Sequence, residues 1–227
     1  MKTIYIILTS PNSRPSKLIR WATNDMFSHS SIALVPSPHH LYSFGRRKVN
    51  NFLIGGFINE DTKKNIFALY PHARCDVYAL DVCDDSYSKM EMLLNVFNRN
   101  YKRYKYNFSG ILTTFLGIKT NLRYRYTCSQ FVSTMLYLSK AANLPKHPSL
   151  MKPMDLTSIK GLRKIYSGEI CRLSFDDSIN KNTKKKENSQ FVNTIAKKNY
   201  KKFLTPIFFN SFSNRSREVL KPKMPRG

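Results

Sequence analysis

Residues 126–142 read YTCSQFVSTMLYLSKAA, and this stretch predicts the clearest helix in the chain. Its apolar residues recur at helical spacing, and the Asn-Leu-Pro of residues 143–145 ends it. Thr127 suits the N-cap, which places Cys128 in the first turn. Backbone N–H groups and the helix dipole favour negative charge there. The position therefore suits a thiolate nucleophile, and the same amides can receive an oxyanion.

A thiolate of this kind needs a neighbouring base, and His29 is the best candidate. It alone of the five histidines lies in a predicted strand, residues 28–35, where the sheet fixes the direction of its side chain. The others fall in turns or loops: His39, His40, His72 and His147. The positions of these two residues alone also fit a structural role, in which Cys128 packs in the core and His29 is a buried, hydrogen-bonded histidine.

The rest of the chain predicts an α+β domain. Further strands are expected at residues 3–8, 41–45, 77–82 and 163–168, and helices at 15–23, 87–101 and 108–118. The helix at 108–118 is expected to pack beneath the aromatic and basic segment 101–106. Residues 46–72 are expected to be loops around a short strand.

The charge of the chain predicts polyanionic neighbours. Its 227 residues include 38 Lys and Arg against 14 Asp and Glu, a net charge of +24. Nucleic acid, anionic lipid or wall polymer fits this charge, and composition does not choose among them. We expect one main domain at residues 1–174. Residues 175–227 are expected to form a basic, Lys- and Asn-rich extension, partly disordered or loosely docked.

Cysteine usage argues against a disulfide scaffold and against a metal site. The four cysteines are Cys75, Cys83, Cys128 and Cys171, without CxxC spacing. A zinc set of His72, Cys75 and Cys83 fits no standard interval, so no metal or cofactor is expected. The chain starts without a signal-peptide pattern and has no span-length apolar run, so a cytoplasmic protein, or one peripheral to a membrane, is expected.

Three segments carry a resemblance to a known family. Residues 28–34 (SHSSIAL), 41–46 (LYSFGR) and 126–132 (YTCSQFV) resemble the His-strand, following strand and Cys-helix blocks of permuted papain-like hydrolases. These are YiiX-like relatives of NlpC-type peptidases and of lecithin:retinol acyltransferase, and the pattern looks most like an uncharacterised bacterial branch. The resemblance covers about residues 3–170 and lies in its order, since ordinary papain-like enzymes place the Cys first.

The resemblance implies a circularly permuted papain-like fold, with an antiparallel sheet packed against helices. It also implies a Cys-His site that hydrolyses or transfers an acyl or peptide-like substrate at an amide, ester or thioester carbonyl. Such families orient the His with a polar residue on the next strand, and Ser43 occupies the matching position. His40 and Glu60 remain alternatives for this third role. Tyr126 fits either a hydroxyl near the oxyanion or plain aromatic packing.

The main alternative is a basic binding protein whose hydrolase fold is inactive. Aromatic and basic residues interleave at residues 101–106 and 123–126, which suits phosphate contact and base stacking on nucleic acid. An anionic membrane is the other candidate surface, with the apolar residues 203–209 of the extension in contact with lipid.

Overall fold

An α+β architecture is present in the computed structural model, which describes residues 1–48 and 51–175. The strands within these residues are β1 (Lys2–Ser10), β2 (His29–Ala33), β3 (Leu41–Lys48), β4 (Asn51–Glu60), β5 (Arg74–Val82), β6 (Lys105–Tyr106), β7 (Arg125–Tyr126) and β8 (Arg163–Glu169). The helices are α1 (Arg14–Thr23), α2 (Asn65–Leu69), α3 (Asp84–Arg99), α4 (Phe108–Phe115) and α5 (Cys128–Leu138). Short 3-10 turns lie at Tyr101–Arg103, Pro148–Leu150, Met154–Ser158 and Ile170–Arg172. The predicted extension after residue 175, with its apolar residues 203–209, lies outside the described residues.

All eight strands form one sheet in the order β7-β6-β4-β3-β2-β1-β5-β8. The sheet is mixed, so the expectation of a wholly antiparallel sheet is wrong at one edge, where β6 and β7 run parallel. The reason is the connection between them. A parallel pair needs a crossover, and the chain makes one through α4 before it returns beside β6.

Residues 46–72 differ from the predicted loops, because β3 continues to Lys48 and β4 runs for ten residues. The glycines and basic residues of this segment interrupt the alternation of apolar and polar residues by which a strand is predicted from sequence. In the fold, Gly45 pairs with Gly56 and Arg46 with Gly55. A Cβ on Gly55 would lie 2.8 Å from the Cβ of Tyr106. The glycine therefore admits the neighbouring β6 residue at close range.

An aromatic cluster fixes α5 against the sheet. The ring of Phe44 on β3 lies 5.3 Å from Phe131 on α5 and 6.0 Å from Phe97 on α3. Phe57, Tyr104 and Tyr126 complete the cluster. Tilted and edge-on ring pairs at these distances add stability beyond their buried area. The cluster therefore sets the position of α5 relative to β3.

None of the helices within the described residues is long and apolar enough to cross a membrane.

Candidate active site

Cys128 is the first residue of α5, where a capping box holds the start of the helix. Gln130 donates its backbone N–H to the Thr127 hydroxyl at 3.2 Å, and its side-chain oxygen accepts from the Thr127 N–H at 3.5 Å. The first-turn N–H of Cys128 itself has no intrahelical acceptor. It is therefore available to an oxyanion formed next to the sulfur. The helix ends at Leu138 and not at residue 142, since Lys140 has a left-handed φ of 59°.

The sequence-predicted base and nucleophile lie in contact, although 99 positions separate them. The His29 ring, at the start of β2, lies close enough to Cys128 for each side chain to shift the pKa of the other. Its Nε2 atom lies 2.9 and 3.1 Å from the two carboxylate oxygens of Glu60. Because Nε2 faces Glu60, Nδ1 is the nitrogen left to exchange a proton with the thiol.

Glu60 is the partner that backs the His29 ring. It ends β4, with a residue exposure of 4 %, and Ser31 donates its hydroxyl to Oε2 at 2.5 Å. The sequence leaves Glu60 open as an alternative for the third role, and no sequence signal points to Ser31. A carboxylate on Nε2 fixes the tautomer and orientation of the imidazole and stabilises its protonated form.

Ser43, the predicted third residue, also lies beside the His29 ring, slightly farther from Nε2 than Glu60 is. Its hydroxyl is 3.3 Å from His29 Nε2 and donates to the Ser30 carbonyl at 2.7 Å. Only Ile32 and Tyr42 pair in the register between β2 and β3. The Ser43 hydroxyl therefore adds a side-chain hydrogen bond between β2 and β3, whose backbone pairing is short.

The electrostatics of the pair favour charge separation. Burial lowers the pKa of His29, but the Glu60 charge and hydrogen bonds to Cys128 and Glu60 outweigh it and raise that pKa well above its ordinary value. Burial raises the pKa of Cys128, but the hydrogen bond and charge of His29 and the N–H groups of Ser30 and Ser129 bring it below its ordinary value. Both pKa shifts therefore move the pair toward a thiolate beside an imidazolium.

Tyr106, on β6, brings a hydroxyl that sequence reasoning missed. It lies close to Cys128, and burial followed by the charge of Cys128 raises the Tyr106 pKa well above its ordinary value. Tyr126, for which the sequence leaves both an oxyanion role and aromatic packing open, packs in the aromatic cluster, 5.2 Å from the Phe44 ring. No local signal separates the two tyrosines, since both lie in aromatic and basic runs.

The other sequence candidates lie apart from this site or from one another. Cys75 and Cys83 stand at opposite ends of β5, roughly 25 Å apart for an extended strand. They form no zinc set, and burial raises the pKa of the Cys75 thiol to about 12. His72 instead lies 3.2 Å from Glu169, which also contacts Arg172 at 3.2 Å. That guanidinium disfavours a cation at this exposed cluster, which also includes Cys171.

These contacts give the site the parts that acyl transfer requires. Cys128 supplies a polarised sulfur, His29 a group that takes and returns a proton, and Glu60 an anion that orients the ring. The His29 side chain remains 15 % exposed, so solvent reaches the ring. Neither the models of protein families nor the curated proteins compared with this chain give a match.

Proposed function

We propose that the protein is a cysteine-dependent hydrolase or acyltransferase of the permuted papain-like type, acting at an amide, ester or thioester carbonyl. One observation carries the proposal: the Cys128 thiol lies beside a His29 ring whose Nε2 atom is held by Glu60. The order along the chain, His before Cys, agrees with the family resemblance of residues 28–34 and 126–132.

The proposed reaction passes through a thioester. His29 holds the thiol proton, and the Cys128 thiolate attacks the carbonyl carbon to form a C–S bond. The oxyanion is received by the first-turn N–H of Cys128 and the Tyr106 hydroxyl. When the bond to the leaving group breaks, that group takes the proton from His29. Water, or another acceptor deprotonated by His29, then attacks the thioester and frees Cys128.

Thiol alkylation across pH tests the nucleophile directly. With iodoacetamide and peptide mass spectrometry, we expect Cys128 to be alkylated at about pH 6 faster than the exposed Cys171 of the same molecule. An ordinary thiol is well under about 1 % thiolate at that pH. His29→Ala removes the imidazolium and should move the alkylation curve of Cys128 to higher pH. Equal rates for Cys128 and Cys171 at pH 6 in the wild-type protein would contradict the proposal.

Tyr106→Phe separates stabilisation of the oxyanion from activation of the thiol. Loss of this hydroxyl should lower the turnover of a chromogenic acyl ester by about tenfold to a hundredfold, because one donor to the developing charge is removed. The rate of Cys128 alkylation should stay close to wild type. Tyr126→Phe is the matched control, since that ring packs in the aromatic cluster and should keep its turnover. Equal losses in both variants would remove Tyr106 from the mechanism.

The alternative function, nucleic-acid binding through stacked aromatics, has weaker support. Tyr104 and Tyr126 are buried, which takes their rings away from solvent. Arg103 and Arg123 lie over the Tyr124 ring at 4.6 and 4.9 Å from its centroid. Side chains of the chain itself therefore occupy the Tyr124 ring, on which a base would stack.

A further inference from the structure

Helix α4 presents an apolar face to solvent. Residues 108, 112, 115 and 116 share one side of a helix because they are four, seven and eight positions apart. All four are large and exposed: Phe108 40 %, Leu112 62 %, Phe115 60 % and Leu116 57 %. The helix predicted to pack beneath the segment 101–106 contacts Tyr106 of that segment through Phe108, whose ring lies 4.8 Å from the Tyr106 ring, but leaves this apolar face uncovered. An amphipathic helix of a globular protein normally buries such a stripe.

The orientation of the exposed face is fixed by hydrogen bonds at the C-terminal end of α4. The Ile118 N–H donates to the Thr113 carbonyl at 2.8 Å and the Gly117 N–H to the Thr114 carbonyl at 3.2 Å, which is a Schellman motif. Gly117 takes the φ of +71° that the motif requires. On the opposite side, the Thr114 hydroxyl donates to the Ser149 carbonyl at 2.9 Å. The stripe is therefore turned outward by specific hydrogen bonds, and Ile118 and Leu122, after the end of the helix, are exposed as well.

Basic residues flank α4 on both sides along the chain. Residues 92–154 contain ten Lys and Arg and no Asp or Glu. The basic residues nearest to α4 along the chain are all exposed: Lys102, Arg103, Lys105, Lys119, Arg123 and Arg125. An apolar stripe with a cationic border fits the interface of an anionic bilayer, where apolar side chains enter the acyl boundary and cations meet headgroups.

Two other occupants fit less well. Nucleic acid offers phosphates to the basic border but no apolar region for Leu112, Leu116 and Ile118. A second copy of the chain, paired through this face about a two-fold axis, would bring like-charged borders together. A bilayer satisfies the apolar stripe and the charge at once.

The face also adjoins the candidate active site. The Phe108 ring lies 4.8 Å from the ring of Tyr106, whose side chain is a neighbour of Cys128. The first turn of α4 packs on the cap of α5, since a Cβ on Gly110 would lie 2.9 Å from Thr127 Cγ2. We infer that the apolar face of α4 and its basic border form a docking surface for an anionic lipid bilayer. That a docked molecule then takes its acyl substrate from the lipid rests on the proposed function.

Co-sedimentation of the full chain with vesicles tests the docking surface. We expect wild-type protein to bind vesicles of phosphatidylcholine with phosphatidylglycerol more tightly than vesicles of phosphatidylcholine alone. Leu116→Asn and Leu112→Asn should each weaken binding by about tenfold, since each removes a large apolar side chain from the lipid contact. Leu69→Asn, on α2, is the matched control, because Leu69 and Leu116 are both 57 % exposed.

Charge reversal supplies a second pair of variants. Lys119→Glu with Arg123→Glu should reduce binding to the anionic vesicles, while Lys63→Glu, remote in sequence, should not. Wild-type binding in the α4 variants would overturn the proposal, as would an equal loss in Leu69→Asn. Binding of single-stranded RNA in place of vesicles, or a dimer in size-exclusion chromatography that Leu112→Asn dissociates, would assign the face to another partner and also overturn it.

Alkylation of Cys128 in the same samples keeps the two proposals distinguishable. The α4 variants should alkylate at the wild-type rate, which also shows that they are folded around the site. If wild-type Cys128 is alkylated as expected but the protein does not bind vesicles, the docking-surface proposal is wrong and the hydrolase proposal is unaffected. If the protein binds vesicles but Cys128 is not alkylated, the hydrolase proposal is wrong and the docking-surface proposal is unaffected.

Discussion

Replacement of Cys128 with alanine is expected to abolish turnover of chromogenic acyl esters, by at least about a thousandfold. The thioester cannot form without the sulfur, and the remaining groups only polarise a carbonyl. Turnover of wild-type protein and of the variant should be compared at one pH near neutrality. Cys171→Ala is the control, because this exposed thiol lies outside the candidate site and its loss should leave turnover unchanged.

This variant should remain folded, so the loss can be assigned to chemistry. The capping box that starts α5 is made by Thr127 and Gln130, and both are retained. A small buried side chain is shortened by one atom, which costs about 1 kcal/mol or less of the free energy of unfolding. Thermal melts followed by circular dichroism would check this. Wild-type turnover in a folded Cys128→Ala protein would rule out the proposed nucleophile.

The parts of the site that the sequence predicted are those fixed by local chemistry. Cys128 follows an N-cap residue at the start of a periodic apolar run, and His29 opens a strand with a fixed side-chain direction. Each can be identified within a window of a few residues. The contact between Cys128 and His29 does not follow from any short stretch of sequence. It is expected only because the order of the two segments resembles that of permuted papain-like hydrolases.

The parts that the sequence left open depend on long-range pairing. Glu60 reaches His29 because β4 pairs with β3 in the register that sets Leu41 opposite Glu60. A shift of one residue would turn the carboxylate to the other face of the sheet. Tyr106 lies on a strand of two residues whose place is set by its pairing with Gly56. Neither register can be predicted from hydrophobic periodicity, since β4 carries two adjacent glycines and β6 is too short to show alternation.

The second large effect is expected from Glu60→Gln, a nearly isosteric change that removes only the charge. Turnover should fall by about a hundredfold to ten-thousandfold, as expected when a histidine loses the carboxylate that fixes its tautomer. The amide also presents an N–H toward Nε2 in one of its two orientations, which opposes protonation of that nitrogen. Ester turnover under saturating and limiting substrate would give both the loss and its division between kcat and KM.

The pH dependence of Cys128 alkylation in this variant has a definite sign. In the wild-type protein the Glu60 charge helps to hold the pKa of His29 up against burial, and the imidazolium holds the pKa of Cys128 down. Without the carboxylate, burial lowers the His29 pKa, the imidazolium is less populated, and the Cys128 pKa rises. The midpoint of alkylation against pH should therefore move upward in Glu60→Gln.

Ser43→Ala is the variant that distinguishes the two candidates for the third residue. Its hydroxyl lies 3.3 Å from Nε2 but donates to the Ser30 carbonyl, so its loss leaves the Glu60 carboxylate at 2.9 Å. We expect less than about a tenfold change in turnover and an alkylation midpoint near that of the wild type. A larger loss in Ser43→Ala than in Glu60→Gln would return the orienting role to Ser43. The comparison matters because a carboxylate can stabilise the imidazolium through charge, whereas a hydroxyl already committed to a backbone carbonyl cannot.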